Sequence, residues 1–353
     1  MLNNNKKLKV GVGLSGGLDS SVTCLLLKQQ GYEVVGITAK MVDDKNFSNI
    51  IANAKAVAKK IGIKHEVIDL TEDFDKKIIN YFIESYKNGE TPNPCILCNR
   101  YIKWGKLFDY AIEQLNCDFV SSGHYAKIIE HNGTKKLYPA KDINKDQQYY
   151  LFELNQKQLS KILFPLSDFT KEEIRKIAIK NDLPSKSAKE SQDICFITKP
   201  MSTKKFITEK LGIQKGKFVY VKTGKSIGTH DGFYQYTIGQ RKGIGIAWPE
   251  PLYVIKLDAN KNLVYVGTKD DLYTTELNIK NCTTQYELTN NEFDALVKIR
   301  YNMNPQKAKV ILEKETKTGK IFFEQPISAV TTGQAAVFYS TDDNHLIGGG
   351  WIC

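Results

Sequence analysis

Residues 10–21 read VGVGLSGGLDSS, and the reading of this stretch decides the fold. An apolar run (Leu8, Val10, Val12) leads into it, and Val22, Leu25 and Leu26 follow at helical spacing, so Gly13, Gly16 and Gly17 join a strand to a helix. Unpaired backbone N–H groups and the positive end of the helix dipole favour an anion at such a junction, and glycine lets a phosphate reach the main chain. Three phosphate loops compete for the stretch. A Walker A loop needs Lys and then Ser or Thr after its second glycine, whereas Asp19 and Ser20 follow here, so that reading fails. Gly11, Gly13 and Gly16 do spell the dinucleotide fingerprint GxGxxG, which wants an acid near the end of the second strand. That strand, predicted over 33–39, ends Ile37, Thr38, Ala39, Lys40 with no acid, which counts against a dinucleotide. A bare Gly-Gly turn without a ligand is the plainest alternative, and it leaves the hydroxyls and the helix start unexplained.

The third reading takes the fuller string SGGLDSS (15–21), which resembles the pyrophosphate loop of the ATP-pyrophosphatase superfamily. That resemblance implies cleavage of ATP into AMP and pyrophosphate to activate a carbonyl or carboxylate.

A chain of 353 residues, 41% hydrophobic and 25% charged, is globular rather than disordered and long enough for two or three domains. It has no apolar run fit to span a bilayer, and its start, MLNNNKKLKV, lacks the apolar stretch of a signal peptide, so a cytoplasmic protein is expected. The net charge of +11 favours a polyanionic partner, although a Lys-rich solvated surface gives the same number. Seven cysteines in a cytosolic chain are an unlikely disulfide framework, so their positions matter more than their count.

Strands predicted at 33–39, 65–69 and 119–121 alternate with helical periodicity, the pattern of a parallel sheet covered by helices. The clearest helix carries Trp104, Leu107, Phe108, Ala111, Ile112 and Leu115 as a core stripe. Residues 185–198 show no periodicity and read as a loop. Beyond Pro200, short β-rich runs at 217–223, 252–257, 263–267, 307–312, 321–323 and 335–339 alternate with Gly, Asn and Asp turns, as in small barrels. The expected class is α/β: a doubly wound parallel-sheet nucleotide-binding domain (1–200) followed by two small β domains (201–276 and 277–353).

Cys95 and Cys98 form a CxxC in a loop that opens a helix, and both features lower a thiol's pKa. One pair alone fits half a zinc site, a redox pair, cluster ligands or two buried thiols, and no second pair completes a zinc site. Cys195 is the natural third thiol, in a polar loop beside Asp193, while Cys24, Cys117 and Cys282 lie in apolar runs that favour burial. A phosphate loop combined with separated loop thiols suggests sulfur transfer through an adenylated intermediate, in which AMP replaces a poor oxygen leaving group. His124 reads either as a general base or tRNA contact or as an oriented loop histidine.

GLSGGLDSSV (13–22), TPNPCILCN (91–99), SGHY (122–125), KDQQYYL (145–151), ESQDICFI (190–197), GQRKGIGI (239–246) and GGGWI (348–352) stand in the order in which the bacterial tRNA-specific 2-thiouridylase family carries its motifs. The chain resembles that family from 8 to 352. The resemblance implies ATP, with Mg²⁺ on its pyrophosphate, on Gly13, Leu14, Ser15, Gly16, Gly17, Leu18, Asp19 and Ser20, together with Ala39 and Gly123. It implies Cys195 as the persulfide carrier and Cys98 as its catalytic partner. Asn93, Pro94 and Cys95 match positions against the flipped-out wobble uridine, a base that must leave its stack to offer its 2-carbonyl. His124, Lys145, Asp146, Gln147, Arg300, Tyr301 and Gln334 match positions that contact tRNA, and a persulfide donor or relay protein is the second implied partner. Two departures stand out. Cys95 replaces an Asp common in relatives, so that carboxylate's acid–base role does not transfer, and TTGQ (331–334) replaces PGQ, which should loosen one turn. Cys95 also raises an alternative, an iron–sulfur cluster held by Cys95, Cys98 and Cys195, since soft thiolates suit such clusters. Another ATP pyrophosphatase of amidotransferase or ligase type, and a non-catalytic tRNA-binding relative, are the competing functions.

Overall fold

A computed structural model of the protein describes residues 7–43, 45–188, 194–198 and 200–353. The basic N-terminal tail, Asp193 and the first half of ESQDICFI lie outside the described residues. The chain divides into two compact units: Met1–Ile78 with Cys95–Gln192 and Asp343–Leu346, and Ile79–Pro94 with Asp193–Asp342 and Ile347–Cys353.

The first unit is built on β1 (Lys9–Gly13), β2 (Glu33–Lys40), β3 (Lys64–Asp69) and β4 (Phe119–Ser121), then a hairpin of β5 (Lys127–His131) and β6 (Thr134–Tyr138), then β7 (Ile162–Leu163). The sheet order is β3-β2-β1-β4-β7 with every neighbouring pair parallel. Its helices are α1 (Leu18–Gln29), α2 (Lys45–Ile61), α3 (Thr71–Phe74), α5 (Pro94–Leu97) with wide π-type turns at Cys98–Leu107 and Tyr110–Gln114, α6 (Gln156–Leu159) and α7 (Lys171–Lys180); α4 (Asn80–Lys87) belongs to the second unit.

Alternation along β1 shows why the sheet is covered on both sides. Val10 and Val12 pack into one core with Val22 and Leu27 of α1, Ala54 and Val57 of α2 and Ile174 and Ala178 of α7. Gly11, between them, faces the other way, and a Cβ there would lie 2.8 Å from the Ala111 Cβ, so the helical segment after Cys98 packs directly on the strand. That segment is the core stripe read from the sequence, with Trp104 and Ala111 fully buried, although its turns are π-type where α-helix was expected. The chain leaves β1 outward to β2 and β3 and returns to β4 on the other side, so the switch point lies between the carboxyl ends of β1 and β4, where doubly wound sheets take their ligands.

The second unit holds a sheet of β8 (Gly216–Tyr220), β9 (Ser226–His230), β10 (Tyr253–Asp258) and β11 (Leu263–Gly267), in the order β10-β11-β8-β9. Phe218, Val254, Val264 and Val266 from these strands share a core with Phe82 of α4 and Ile207 of α8 (Thr203–Leu211). The remaining strands, β12 (Tyr273–Thr284), β13 (Glu292–Lys298), β14 (Gln306–Glu313), β15 (Thr318–Ser328), β16 (Ala335–Tyr339) and β17 (Leu346–Ile352), close into a barrel in the order β12-β15-β14-β13-β16-β17. On β14 the inward Ala308, Val310 and Leu312 alternate with exposed Lys307, Lys309 and Glu313, the period-two pattern that fills a small barrel with side chains. Among the described residues, no helix is long and apolar enough to cross a membrane.

Candidate nucleotide and thiol site

The loop after β1 is shaped by close approaches that only glycine permits. Gly16 has φ +72°, and a Cβ on it would stand 2.7 Å from the Ala54 N of α2. The Leu14 N–H donates to the Ile37 carbonyl at 2.8 Å, which anchors the loop to β2 just before Ala39. Ala39 itself is half-buried near the end of β2. Ser15 and Ser20 bring their hydroxyls to 3.1 Å, and the Ser15 N–H donates to the Ser20 Oγ at 3.2 Å. Gly17 takes the N-cap position of α1 with no side-chain cap, so the first amides of the helix stay available to an anion. Gly123, in the turn after β4, lies directly against this helix start: a Cβ there would be 2.8 Å from the Ser20 N and 2.9 Å from the Asp19 Cβ. Gly13–Ser20 and Gly123 thus come together at the switch point.

Two residues that sequence reasoning missed complete this corner. Tyr125 donates its hydroxyl to the Asp19 Oδ1 at 2.9 Å, and the Lys171 ammonium donates to Asp19 Oδ1 at 2.6 Å and Oδ2 at 2.7 Å. A signal for Lys171 was present in the sequence. Thr170 and Glu173 form a capping box that makes Lys171 the first residue of α7, where the positive end of the helix disfavours a cation unless an anion outside the helix holds it.

His124 is buried, with Nδ1 at 2.6 Å from the Ser122 Oγ and its ring beside Trp104 and Phe164. Burial, and secondarily the Lys103 charge, hold its pKa well below the ordinary histidine value, so the imidazole is neutral at pH 7. Gln147 accepts the Tyr125 N–H on its side-chain oxygen at 3.1 Å and donates its own N–H to the Tyr125 carbonyl at 2.8 Å, tying KDQQ to SGHY. Asp146 caps the same turn, accepting from the Ala140 N–H at 3.1 Å and the Gln148 N–H at 3.3 Å, while Lys145 is half-buried beside it.

Cys98 is buried and begins the segment that carries Trp104, whose ring lies 5.8 Å from that of His124. Cys95 is exposed, yet surrounding protein raises its thiol above the ordinary value against the opposing pull of Lys103. The lowering expected of a thiol at a helix start is therefore outweighed at Cys95 by desolvation. Cys24 and Cys117 are buried as expected, whereas Cys282 is half-buried.

Cys195 belongs to the second unit and is exposed. In that unit the Gln334 amide donates to the Thr91 carbonyl at 2.8 Å and the Thr91 N–H donates to the Thr332 carbonyl at 2.9 Å, which braces the segment leading to Asn93 and Pro94. The TTGQ turn, expected to be loose, is held further by the buried Thr331, whose hydroxyl donates to the Ala329 carbonyl at 2.9 Å. Arg300 spends its Nη2 on the Ser328 and Ala329 carbonyls, both at 2.7 Å, and Tyr301 next to it is half-buried. Among the described residues, no group of three or more His, Cys, Asp or Glu side chains is placed to hold a metal ion.

Family models match the chain over its length: a tRNA methyl transferase HUP domain at 8–199, a tRNA methyl transferase PRC-barrel domain at 204–268 and an aminomethyltransferase beta-barrel domain at 269–352. The tRNA-specific 2-thiouridylase MnmA of Mycoplasma capricolum is 43% identical over 364 residues, covering 95% of this chain and 96% of the relative. That of Treponema denticola is 43% identical over 361 residues, covering 98% of each. Among solved structures, the U34-tRNA thiolase NcsA of Methanococcus maripaludis, with its [4Fe-4S] cluster, overlaps 57% of this chain and 62% of its own at 21% identity and a TM-score of 0.36.

Proposed function

The chain belongs to the tRNA-specific 2-thiouridylase family, and from that membership we propose that it converts the wobble uridine of tRNA to 2-thiouridine, splitting ATP into AMP and pyrophosphate. The observation that carries this reading is the uncapped start of α1 facing Gly123 at the switch point, a seat for phosphate that a sulfur transferase needs in order to turn the uridine O2 into a leaving group. Methyl transfer, the activity in two of the family-model descriptions, cleaves no phosphate bond of ATP and would leave this seat without a task.

In this reading residues 13–20 hold the phosphates, and the Ala39 backbone and Gly123 border the rest of the nucleotide. Mg²⁺, which favours substrate phosphates with one or two carboxylates, would sit on the pyrophosphate and offset its charge; the single carboxylate of the loop, Asp19, is already held by Tyr125 and Lys171. The uracil lies against Asn93, Pro94 and Cys95. Cys195 carries a persulfide whose terminal sulfur attacks C2, and AMP departs with the C2–O bond pair. Cys98 then attacks the Cys195 sulfur, the S–S bond breaks toward the base, and a disulfide remains for an external reductant to reopen. His124 acts as a neutral buried group beside Trp104, and Lys145, Asp146, Gln147, Arg300, Tyr301 and Gln334 form or brace the tRNA-binding surface. Residues 1–200 are the catalytic part, and 201–276 and 277–353 hold the tRNA. The enzyme works with a persulfide donor or relay protein in the cytoplasm.

The test follows AMP and 2-thiouridine together with tRNA, ATP and a persulfide donor. The reading expects one AMP per thiolated uridine and complete loss of thiolation in Cys195→Ser. Thiolation that survives Cys195→Ser would overturn the persulfide route.

A further inference from the structure

The motif GQRKGIGI (239–246) has no part in the chemistry derived above, yet the second unit builds it into a rigid loop. Gln240 clamps its start. The Gly239 N–H donates to the Val254 carbonyl at 2.8 Å and the Val254 N–H to the Gln240 carbonyl at 2.9 Å. The Gln240 side chain accepts from the Thr237 N–H at 3.1 Å and donates to the Lys242 carbonyl at 2.9 Å. Gly243 and Gly245, at φ +78° and +73°, turn the chain twice, and Ile244 between them is buried in the core that holds Phe218 and Val254. Arg241 and Lys242 are exposed, and among the described residues neither side chain has a hydrogen bond or an ion pair. The loop borders an open recess of about 420 Å³ whose lining includes Arg241, Ile244, Ile246, Trp248, Glu250 and Leu252. Trp248 is 36% exposed although its ring centroid lies 4.8 Å from that of Tyr220, so one side of the indole rests on protein and the rest is open.

We propose that this recess is a second RNA subsite, where an unpaired nucleotide of the tRNA other than the wobble uridine stacks its base on Trp248 and sets its phosphate on Arg241 and Lys242. This rests on the reading of the protein as a tRNA-modifying enzyme. Two unpaired cations beside an open aromatic ring disfavour an apolar or basic partner and suit one that carries both a negative charge and a flat π-face, which a nucleotide does. The base has to be unpaired, because a duplex keeps its base faces stacked on one another. Glu250, the one acid in the lining, repels phosphate and accepts from base N–H groups. Since Gln240 and Ile244 hold the loop before RNA arrives, little conformational freedom is lost on binding. The wobble uridine is assigned to Asn93, Pro94 and Cys95, so the base at Trp248 fixes the register of the RNA and takes no part in the reaction.

The experiment uses Trp248 as its own reporter. Trp104 and Trp351 are buried, so acrylamide quenching of the full chain's tryptophan fluorescence reads mainly Trp248. Without ATP, saturating unmodified tRNA should lower the quenching slope of wild type toward that of Trp248→Phe. In filter binding, Trp248→Ala should raise the Kd for tRNA roughly 5–150-fold, the worth of one stacked base, and Trp248→Phe, which keeps a stacking face, should recover part of that loss. Arg241→Gln and Lys242→Gln should each reduce the slope of log Kd against log salt concentration by about 0.7, whereas Trp248→Ala leaves that slope unchanged. A quenching slope unmoved by bound tRNA, or wild-type tRNA affinity in Trp248→Ala, would overturn the proposal. Protection of Trp248 by a persulfide donor protein in the absence of RNA would assign the recess to a protein partner and overturn it as well. The quenching arm needs only wild type, so it decides even where a variant does not fold. A chain that binds no tRNA would overturn the enzyme reading together with this one; tRNA that is bound and thiolated while Trp248 stays fully quenched would overturn this inference alone.

Discussion

Replacing Gly16 by Ala tests whether the phosphate loop has the shape described above. Gly16 sits at φ +72°, and the added Cβ would fall 2.7 Å from the Ala54 N, 2.8 Å from the Asn53 Cβ and 2.9 Å from the Asn53 carbonyl carbon. Alanine in the left-handed region costs about 1–2 kcal/mol. Overpacking against helix backbone, which cannot rotate away, adds about 1–3 kcal/mol, for a sum of roughly 2–5 kcal/mol. Gly31→Ala is the control: it also has positive φ, +93°, but a Cβ there meets nothing within 4 Å, so only the backbone cost applies. At about 2–4 °C per kcal/mol, Gly16→Ala should lower the melting temperature by roughly 4–20 °C and Gly31→Ala by about 2–8 °C. Scanning calorimetry or near-UV circular dichroism reads this difference. The KM for ATP should rise at least about tenfold in Gly16→Ala, the loss of one good hydrogen bond to a charged group, and stay unchanged in Gly31→Ala, which lies beyond the far end of α1. Equal melting shifts for the two variants, together with a wild-type KM in Gly16→Ala, would refute the steric account of the loop.

Two further outcomes rest on titration. The Cys95 thiol is raised above 9.0 by desolvation, so iodoacetamide should label it slowly at pH 7 and faster as pH climbs past that value; peptide mapping that finds Cys95 labelled fast at pH 7 would contradict the assigned environment. Glu173 is lowered from 4.5 to about 2, first by the Thr170 N–H and then by Lys141, so its contribution to stability is complete above pH 4.5 and disappears as pH falls toward 2. Melting curves of wild type and Glu173→Gln should therefore differ at pH 6 and converge in that window, and parallel curves down to pH 2 would count against the capping box.

The elements legible in the sequence were those whose apolar pattern is unbroken. The run before Gly13 and the period of Val22, Leu25 and Leu26 located β1, the loop and α1, and the runs at 263–267 and 335–339 coincide with β11 and β16. β12 and β13 escaped notice because one face of each meets solvent: in YTTELNIKNCTT only Leu277 and Ile279 are buried, too few to stand out among polar residues. The segment after Cys98 shows helical spacing, but spacing did not distinguish α from π-type turns. At the site, the glycines and hydroxyls of the loop are local and could be read directly. The Tyr125 and Lys171 partners of Asp19 lie 106 and 152 residues away, and only the packing of α7 on α1 brings the latter pair together. Gln334 and Arg300 likewise do their visible work on backbone carbonyls, supporting a turn, which no motif announces.

The central claim, sulfur transfer to the wobble uridine driven by ATP, is tested most directly by mass spectrometry of nucleosides from unmodified tRNA incubated with the protein, ATP and a persulfide donor. The account predicts 2-thiouridine that depends on ATP, on the donor and on Cys195, whether the protein is purified in air or without oxygen. Absence of 2-thiouridine under both conditions, with the protein folded and tRNA bound, would contradict it.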